Sequence, residues 1–129
     1  MTEIFGKNLV SFIYIILTIL LTVYGQIVIK WQVNNAGEFP AATTDKLLFI
    51  LRLLLNPWVI SSFAAAFIAS LTWMAALTKF SLSFAYPFMS LAFVLVMILS
   101  AIFFYEPITI AKAVGMGLIV AGIIIGSQT

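Results

Sequence analysis

The stretch that decides the fold is Asn8–Ile29, NLVSFIYIILTILLTVYGQIVI, which runs for 22 residues without a charged side chain. About 20 helical residues, each rising about 1.5 Å, span the roughly 30 Å hydrocarbon core of a bilayer. The stretch is therefore long enough to cross a membrane once. It is too long for the apolar core of a typical signal peptide, and no small-residue cleavage pattern follows it, so we expect a permanent helix.

Three further charge-free stretches follow, at residues 53–78, 80–105 and 113–129. They predict an all-α membrane protein whose residues 1–129 form a single four-helix transmembrane domain. We place its helices at about residues 9–31, 58–78, 82–104 and 108–127. Asn56-Pro57 marks the start of the second helix and Thr109 caps the fourth, because these residue types favour helix starts. In residues 46–55 one helical face is polar and leucines occupy the rest of the surface, which predicts a short amphipathic helix at the membrane interface.

The composition excludes several classes of protein. Of the 129 residues, 64% are hydrophobic and 8% are charged, whereas a soluble domain carries about 25% charged residues. This composition excludes soluble enzymes and disordered tails. Nucleic-acid binders are excluded as well, because six basic and four acidic residues form no patch that could follow a phosphate backbone. Cysteine and histidine are both absent, which removes disulfides, thiolate chemistry and the usual zinc sites. We expect a multi-pass membrane protein that is not an enzyme and uses no metal or cofactor.

Polar side chains recur every four residues along the first helix, at Thr18, Thr22, Gln26 and Lys30. A polar group in lipid needs a partner or a function, so this face is expected to look into the bundle or into a wet groove. In one interpretation, Lys30 reaches the lipid headgroups and the threonines bond their own backbone. In the other, Lys30 lies above a hydroxyl-lined slot and holds an anionic headgroup.

The second and third helices carry features that favour a cavity. Trp73 lies within its span rather than at the rim, so it is expected to face a cavity. The third helix opens with Ser81–Pro87, SLSFAYP, and Pro87 disturbs the backbone one turn earlier. Irregular backbone beside Tyr86 and Ser90 is tolerated in lipid only against protein or a cavity. The alternative is a simple proline at the start of a helix.

Small residues indicate where helices approach closely. In the second helix two faces have this spacing: Ser62, Ala66 and Ser70, and Ser61, Ala65 and Ala69. We interpret these faces as packing surfaces. The fourth helix carries a stripe that we interpret as a dimer interface, with packing inside one chain as the alternative: Gly115, Gly122 and Gly126. No carboxylate lies in the central part of any span, which disfavours a proton-driven mechanism.

Two motifs resemble those of the small four-helix members of the drug/metabolite transporter superfamily, which include the small multidrug resistance exporters. They are Leu21–Lys30, LTVYGQIVIK, and Gly115–Ile123, GMGLIVAGI. Thr22 stands where those exporters carry a glutamate. The closer resemblance is to the paired subunits of the undecaprenyl phosphate-aminoarabinose flippase. They share a Thr-x-x-Gly-Gln-x-x-x-Lys first helix and a third helix similar to Ser81–Val96, SLSFAYPFMSLAFVLV, which Glu106-Pro107 follows here.

The resemblance implies a protein of the bacterial inner membrane that works as a homodimer or as a heterodimer with a similar four-helix subunit. The pair would move a polyprenyl-phosphate-linked sugar across the bilayer. Two alternatives stay open. One is a small-molecule drug or metabolite exporter of the same superfamily, and the other is a non-transporting membrane subunit that scaffolds a glycosyltransferase.

For a flippase, we expect Lys30, helped by Gln26, to bind the phosphate of the polyprenyl-phosphate glycolipid. Glu106 is expected either to gate the far end of the path or to bind an amine on the sugar. The path of the sugar would be lined by Thr22, Trp73, Tyr86 and Ser90. The polyprenyl tail would stay in the lipid bilayer.

Overall fold

The computed structural model describes the backbone of residues 2–128 and the side chains of residues 9–128. Within these residues the regular structure is entirely helical: α1 Thr2–Ala36, α2 Thr43–Leu55, α3 Pro57–Leu77, α4 Leu82–Met89, α5 Leu91–Phe103 and α6 Ile110–Gly126. Helix α1, helix α3 and the run formed by α4 and α5 are long and apolar enough to cross a membrane, and α6 is a shorter apolar helix. The predicted all-helical membrane protein is confirmed, and four crossings stay a prediction.

Helix α1 continues beyond its expected end at residue 31. It comprises 35 residues, which at about 1.5 Å each make about 52 Å. No residue between Lys30 and Ala36 breaks a helix, and the first breaker is Gly37, whose φ of 91° is the left-handed conformation that commonly ends helices. Helix α2 begins at Thr43 rather than at residue 46, with Asp45 in its first turn, where the helix dipole favours a carboxylate.

The predicted third helix is in fact two helices, α4 and α5, with Ser90 between them. Pro87 lies inside α4, so its interpretation as a simple helix-start proline is wrong. A proline inside a helix removes one donor from the hydrogen-bond ladder and kinks the helix. The backbone tightens at this point, because the Ser90 N–H bonds the Pro87 carbonyl at 3.0 Å and the Phe93 N–H bonds the Ser90 carbonyl at 3.0 Å.

Two helix starts are capped as the sequence predicts. The Trp58 backbone N–H donates to Asn56 Oδ1 at 2.9 Å, and Pro57 is the first residue of α3. The Lys112 backbone N–H donates to Thr109 Oγ1 at 3.2 Å at the start of α6. Each cap satisfies an N–H group that has no carbonyl partner within its own helix.

Helix α1 packs along α3 through small side chains that come from both predicted faces, whereas Ala66 and Ser70 of the first predicted face are exposed. Ser62, Ala65 and Ala69 are buried. A Cβ atom added to Gly25 would lie 3.4 Å from the Ser62 carbonyl oxygen, so the two backbones are in close approach. The hydroxyls of Thr18 and Thr72 share a hydrogen bond of 2.6 Å across the same seam. The adjoining core is formed by Ile15, Ile19, Val23, Ala76, Ala85 and Ala92.

Helix α6 is covered on one side only. Among the described residues it packs against α4 and α5 and not against α1 or α3, and its one buried residue is Ile123. A Cβ atom added at any of its glycines would meet no atom of the described part of the chain within 4 Å: Gly115, Gly117, Gly122 and Gly126. The alternative that the glycine stripe packs inside one chain is therefore wrong, and the dimer interface stays a prediction.

Candidate functional site

Helix α1 stands between two cavities, and Thr22 and Gln26 line both of them. The first cavity, of about 420 Å³, lies among α1, α3 and α4. The second, of about 600 Å³, lies among α1, α5 and the start of α6. We call the two adjoining cavities the groove. The polar face of α1 therefore looks into the groove, which is the location that the four-residue spacing predicts.

The first cavity combines apolar walls with a few hydroxyls. Thr18 is buried and donates to the Tyr14 carbonyl at 2.8 Å, and Ser70 Oγ donates to the Ala66 carbonyl at 3.0 Å. These two hydroxyls are thereby satisfied within the protein. Trp73 and Tyr86 face each other edge to face, with ring centroids 6.2 Å apart. Trp73 thus lines a cavity, as its position within the span predicts.

The second cavity is closed at one end by the loop between α5 and α6, which carries Glu106. The Ser100 carbonyl accepts two N–H groups, from Phe104 at 2.9 Å and from Glu106 at 3.3 Å. Between them Tyr105 adopts a φ of 55°, a left-handed conformation that is uncommon for a residue with a side chain. This tight turn brings the chain back on itself, so that Glu106 lines the cavity instead of extending away from it.

A charged pair lies at this end of the groove. The Lys30 ammonium is 3.9 Å from Glu106 Oε1, and the two side chains are 49% and 42% exposed. Lys30 follows Gln26 by one helical turn. The pair forms because the carboxyl ends of α1 and α5 meet at the same end of the bundle, and both roles expected of Glu106, gating and amine binding, stay predictions. An ion pair as exposed as this contributes about 0–1 kcal/mol to stability, so its partners are readily exchanged.

The structure brings most of the predicted site residues to the groove. The first cavity is lined by Thr22, Gln26, Trp73 and Tyr86, and the second by Glu106, with Lys30 paired to it. Ser90 is the exception, because it forms the joint between α4 and α5 and lines neither cavity. No cluster of three acidic, histidine or cysteine side chains that could hold a metal occurs among the described residues.

Lys112 is also a groove residue, although it is not among the site residues predicted from the sequence. Lys112 lines the second cavity with Glu106, and its ammonium donates to the Pro107 carbonyl at 3.2 Å. A signal was available, because Lys112 lies in the first turn of α6, where the helix dipole disfavours a cation. A lysine in that position needs a compensating acceptor or anion. Other missed lining residues of the second cavity are Phe93, Met97, Ser100 and Met116.

Comparison with known proteins identifies similar chains in several bacteria. The chain is 35% identical over 108 residues to the probable 4-amino-4-deoxy-L-arabinose-phosphoundecaprenol flippase subunit ArnE of Aeromonas hydrophila, covering 84% of this chain and 89% of that one. It is 31% identical over 117 residues to the probable ArnE subunit of Yersinia pseudotuberculosis, covering 91% and 96%. It is 30% identical over 117 residues to the probable ArnF subunit of Aeromonas salmonicida, covering 89% and 77%.

No family model matches the chain, and no solved structure gives a significant match. The wider resemblance to the drug/metabolite transporter superfamily therefore stays a prediction. The flippase resemblance is confirmed, since relatives at 30% identity or more are matched over most of both chains. With its long apolar helices, the protein is a multi-pass membrane protein, and it belongs to the family of 4-amino-4-deoxy-L-arabinose-phosphoundecaprenol flippase subunits.

Proposed function

We propose that this chain is one subunit of a flippase that carries a polyprenyl-phosphate-linked amino sugar across the bacterial inner membrane. The observation that carries the proposal is the Lys30–Glu106 pair at the end of the groove. The relatives are named for a lipid that joins a 4-amino sugar to a polyprenol through phosphate. The headgroup of such a lipid carries an anion and, at neutral pH, an ammonium ion.

The charges of the pair complement those of the headgroup. On arrival of the lipid, the phosphate pairs with the Lys30 ammonium, and the Glu106 carboxylate pairs with the ammonium of the sugar. Each protein charge exchanges one partner for another of the same sign, so neither is left without a counterion when the lipid binds. Lys112, which lines the second cavity beside Glu106, supplies a further cation for the phosphate.

The groove suits the remainder of the headgroup. A sugar carries hydroxyls, and the groove offers Gln26, Thr22 and Tyr86 for hydrogen bonds, with Trp73 as a flat apolar wall. Among the described residues, no carboxylate lines the first cavity, which supports a flippase over a proton-coupled exporter. The prenyl tail needs no pocket, because it stays in the hydrocarbon of the bilayer while the headgroup passes.

The transporter is proposed as a heterodimer with a second subunit of the same family. Relatives named ArnE and ArnF are both called subunits, and this chain matches the ArnE relatives over 89–97% of their length. The exposed face of α6 supports this arrangement, since Val114 and Leu118 are 57% and 69% exposed. In this arrangement α6 is a fourth membrane crossing within a single domain.

The test is a flipping assay in proteoliposomes that contain this subunit and its partner. The probes are a polyprenyl-phosphate-linked 4-amino sugar and the matching lipid with a hydroxyl in place of the amine. We expect Lys30→Ala to lower the flipping rate of both lipids by about ten- to a hundredfold. This factor corresponds to the free energy of one charge-assisted hydrogen bond. Glu106→Gln is expected to lower the rate for the amino lipid alone.

The combined exchange Lys30→Glu and Glu106→Lys separates a role in binding from a role in structure. The exchanged pair restores the ion pair of the empty protein, so a purely structural role predicts recovery of transport. A binding role predicts no recovery, because the phosphate always lies between the tail and the sugar. Lys79→Ala is the matched control, since Lys79 is an exposed lysine beyond the other end of α3.

Three results would contradict the proposal. Recovery of wild-type flipping by the exchanged pair would show that Lys30 and Glu106 have a structural role and do not bind the headgroup. Flipping of neither lipid, together with export of a soluble cation, would favour the exporter. No transport, together with stoichiometric recovery of a glycosyltransferase, would favour the scaffold.

A further inference from the structure

A separate cavity of about 300 Å³ lies where the end of α1 meets α2 and the start of α3. We call it the interface cavity, and its polar lining residues are Gln32, Asn35, Arg52 and Asn56. Gln32 follows Lys30 by two residues, a rotation of about 200° at 3.6 residues per turn. The interface cavity and the Lys30–Glu106 pair are therefore on opposite faces of α1, and the proposed transport path does not use this cavity.

Hydrogen bonds fix the orientation of two amides beside the interface cavity. The backbone N–H of Trp58 needs an acceptor and takes Asn56 Oδ1 at 2.9 Å. Asn56 Nδ2 is then left to donate, and it bonds Gln32 Oε1 at 3.0 Å. Because the amide oxygen of Gln32 is occupied, its NH₂ group is what remains for a ligand. Gln32 is only 8% exposed, so this donor is held in a fixed place.

Arg52 adds a permanent positive charge to the same cavity. It lies in the last turn of α2, and among the side chains of residues 9–128 no carboxylate pairs with it, since the ion pair found there joins Lys30 and Glu106. None of the described residues that line the cavity is acidic. A guanidinium presents a fork of N–H donors that matches phosphate oxygens. A cavity with a fixed amide donor and an uncompensated guanidinium is suited to a phosphate group.

The surroundings place the interface cavity at the level of lipid headgroups. The Trp31 and Trp58 rings meet edge to face, with centroids 5.3 Å apart, and tryptophan is enriched at membrane interfaces. Helix α2 has no buried residue. It turns leucines outward, with Leu47 60% and Leu55 76% exposed, as expected of a helix that lies in the interface.

We propose that the interface cavity binds the phosphate of an anionic membrane lipid, through the Arg52 guanidinium and the NH₂ group of Gln32. This lipid is a resident of the membrane and not the transported substrate. The bound phosphate holds together the end of α1, the interfacial helix α2 and the capped start of α3, which all contribute to the cavity. The proposal does not depend on the flippase function, and its test does not use transport.

The test is native mass spectrometry of the full chain, released from a neutral detergent after titration with phosphatidylglycerol. Three variants are compared with the wild type. Arg52→Gln removes the charge. Gln32→Glu keeps the acceptor for Asn56 Nδ2 but replaces the NH₂ donor by a negatively charged oxygen. Lys46→Gln is the matched control. It removes the same charge from the same helix, but Lys46 does not line the cavity.

We expect one tightly held phosphatidylglycerol per wild-type chain. Arg52→Gln and Gln32→Glu are each expected to weaken this lipid about tenfold or more, whereas Lys46→Gln leaves it in place. An equal loss in Lys46→Gln and Arg52→Gln would overturn the proposal, because it would indicate general attraction to a basic helix. Displacement of the lipid by millimolar inorganic phosphate would overturn the assignment to a lipid and give the site to a soluble phosphate.

Discussion

Helix α3 and helix α6 both carry small residues at close-packing spacing, but only α3 uses them inside the chain. On α3 the residues Ser62, Ala65 and Ala69 are buried against α1, and Gly25 of α1 has the Ser62 carbonyl beside it. On α6 the glycines have no neighbour at the position of a Cβ atom. The spacing therefore predicts that a helix will be approached closely, and it does not tell which chain will provide the approaching helix.

The largest effect on stability is expected from Gly25→Leu, which breaks the α1–α3 seam. A Cβ atom alone would make ordinary contact at 3.4 Å from the Ser62 carbonyl oxygen, so Gly25→Ala is tolerated. The three further carbons of leucine would force the helices apart, and such overpacking costs about 1–3 kcal/mol of the free energy of unfolding. Thermal unfolding in detergent, followed by circular dichroism, measures it. Equal melting temperatures for the alanine and leucine variants would contradict the close approach.

A smaller effect is expected from Thr18→Val, which removes one hydrogen bond from the same seam. The bond between the Thr18 and Thr72 hydroxyls is 2.6 Å long, and hydrogen bonds between membrane helices contribute about 0.6 kcal/mol on average, and up to about 1.7. Thr18→Ser keeps the hydroxyl and should retain most of the stability. Thr78→Val is the control, because the Thr78 hydroxyl bonds only the carbonyl of Ala75 in its own helix. A loss in Thr78→Val that matched the loss in Thr18→Val would assign the effect to the bond between each hydroxyl and its own helix backbone, and not to the bond between the helices.

No loss of stability is expected from Gly122→Leu, which gives the sharpest contrast with Gly25→Leu. No atom of the described residues lies within 4 Å of a Cβ atom at this position, and leucine favours a helix over glycine. The stability of the single chain should therefore be unchanged or raised by up to about 1 kcal/mol. Association with the partner subunit should weaken, because a leucine holds the helices apart where glycine allows contact. Fluorescence energy transfer between labelled subunits measures the association. Unchanged transfer would place the partner on another face.

The sequence predicts those parts of the fold that depend on neighbouring residues. Runs without charge indicate the long apolar helices, and Asn56 and Thr109 mark two helix starts, because a cap involves residues only two or three positions apart. Pro87 predicts irregular backbone beside Ser90, but it does not predict that the helix divides there into α4 and α5. A proline can bend a helix or interrupt it, and packing against neighbouring helices decides between the two.

In the candidate site, too, the sequence predicts the features that depend on neighbouring residues and not those that depend on how the helices pack. The spacing of Thr22 and Gln26 was enough to predict that they share a face toward a groove. The meeting of Lys30 with Glu106, which are 76 positions apart in the chain, depends on how α1 and α5 are placed and on the left-handed turn at Tyr105. No spacing within either helix contains that information.

The difference in length between α1 and α6 has a consequence for the membrane. Helix α6 has 17 residues, or about 25 Å, which is shorter than a hydrocarbon core of about 30 Å. In the proposed four-span arrangement, local thinning of the bilayer would accommodate such a helix. Met116 of α6 lines the groove, so this thinning would lie beside the proposed path of the headgroup. A polar headgroup that moved there would cross less hydrocarbon than in the unperturbed membrane.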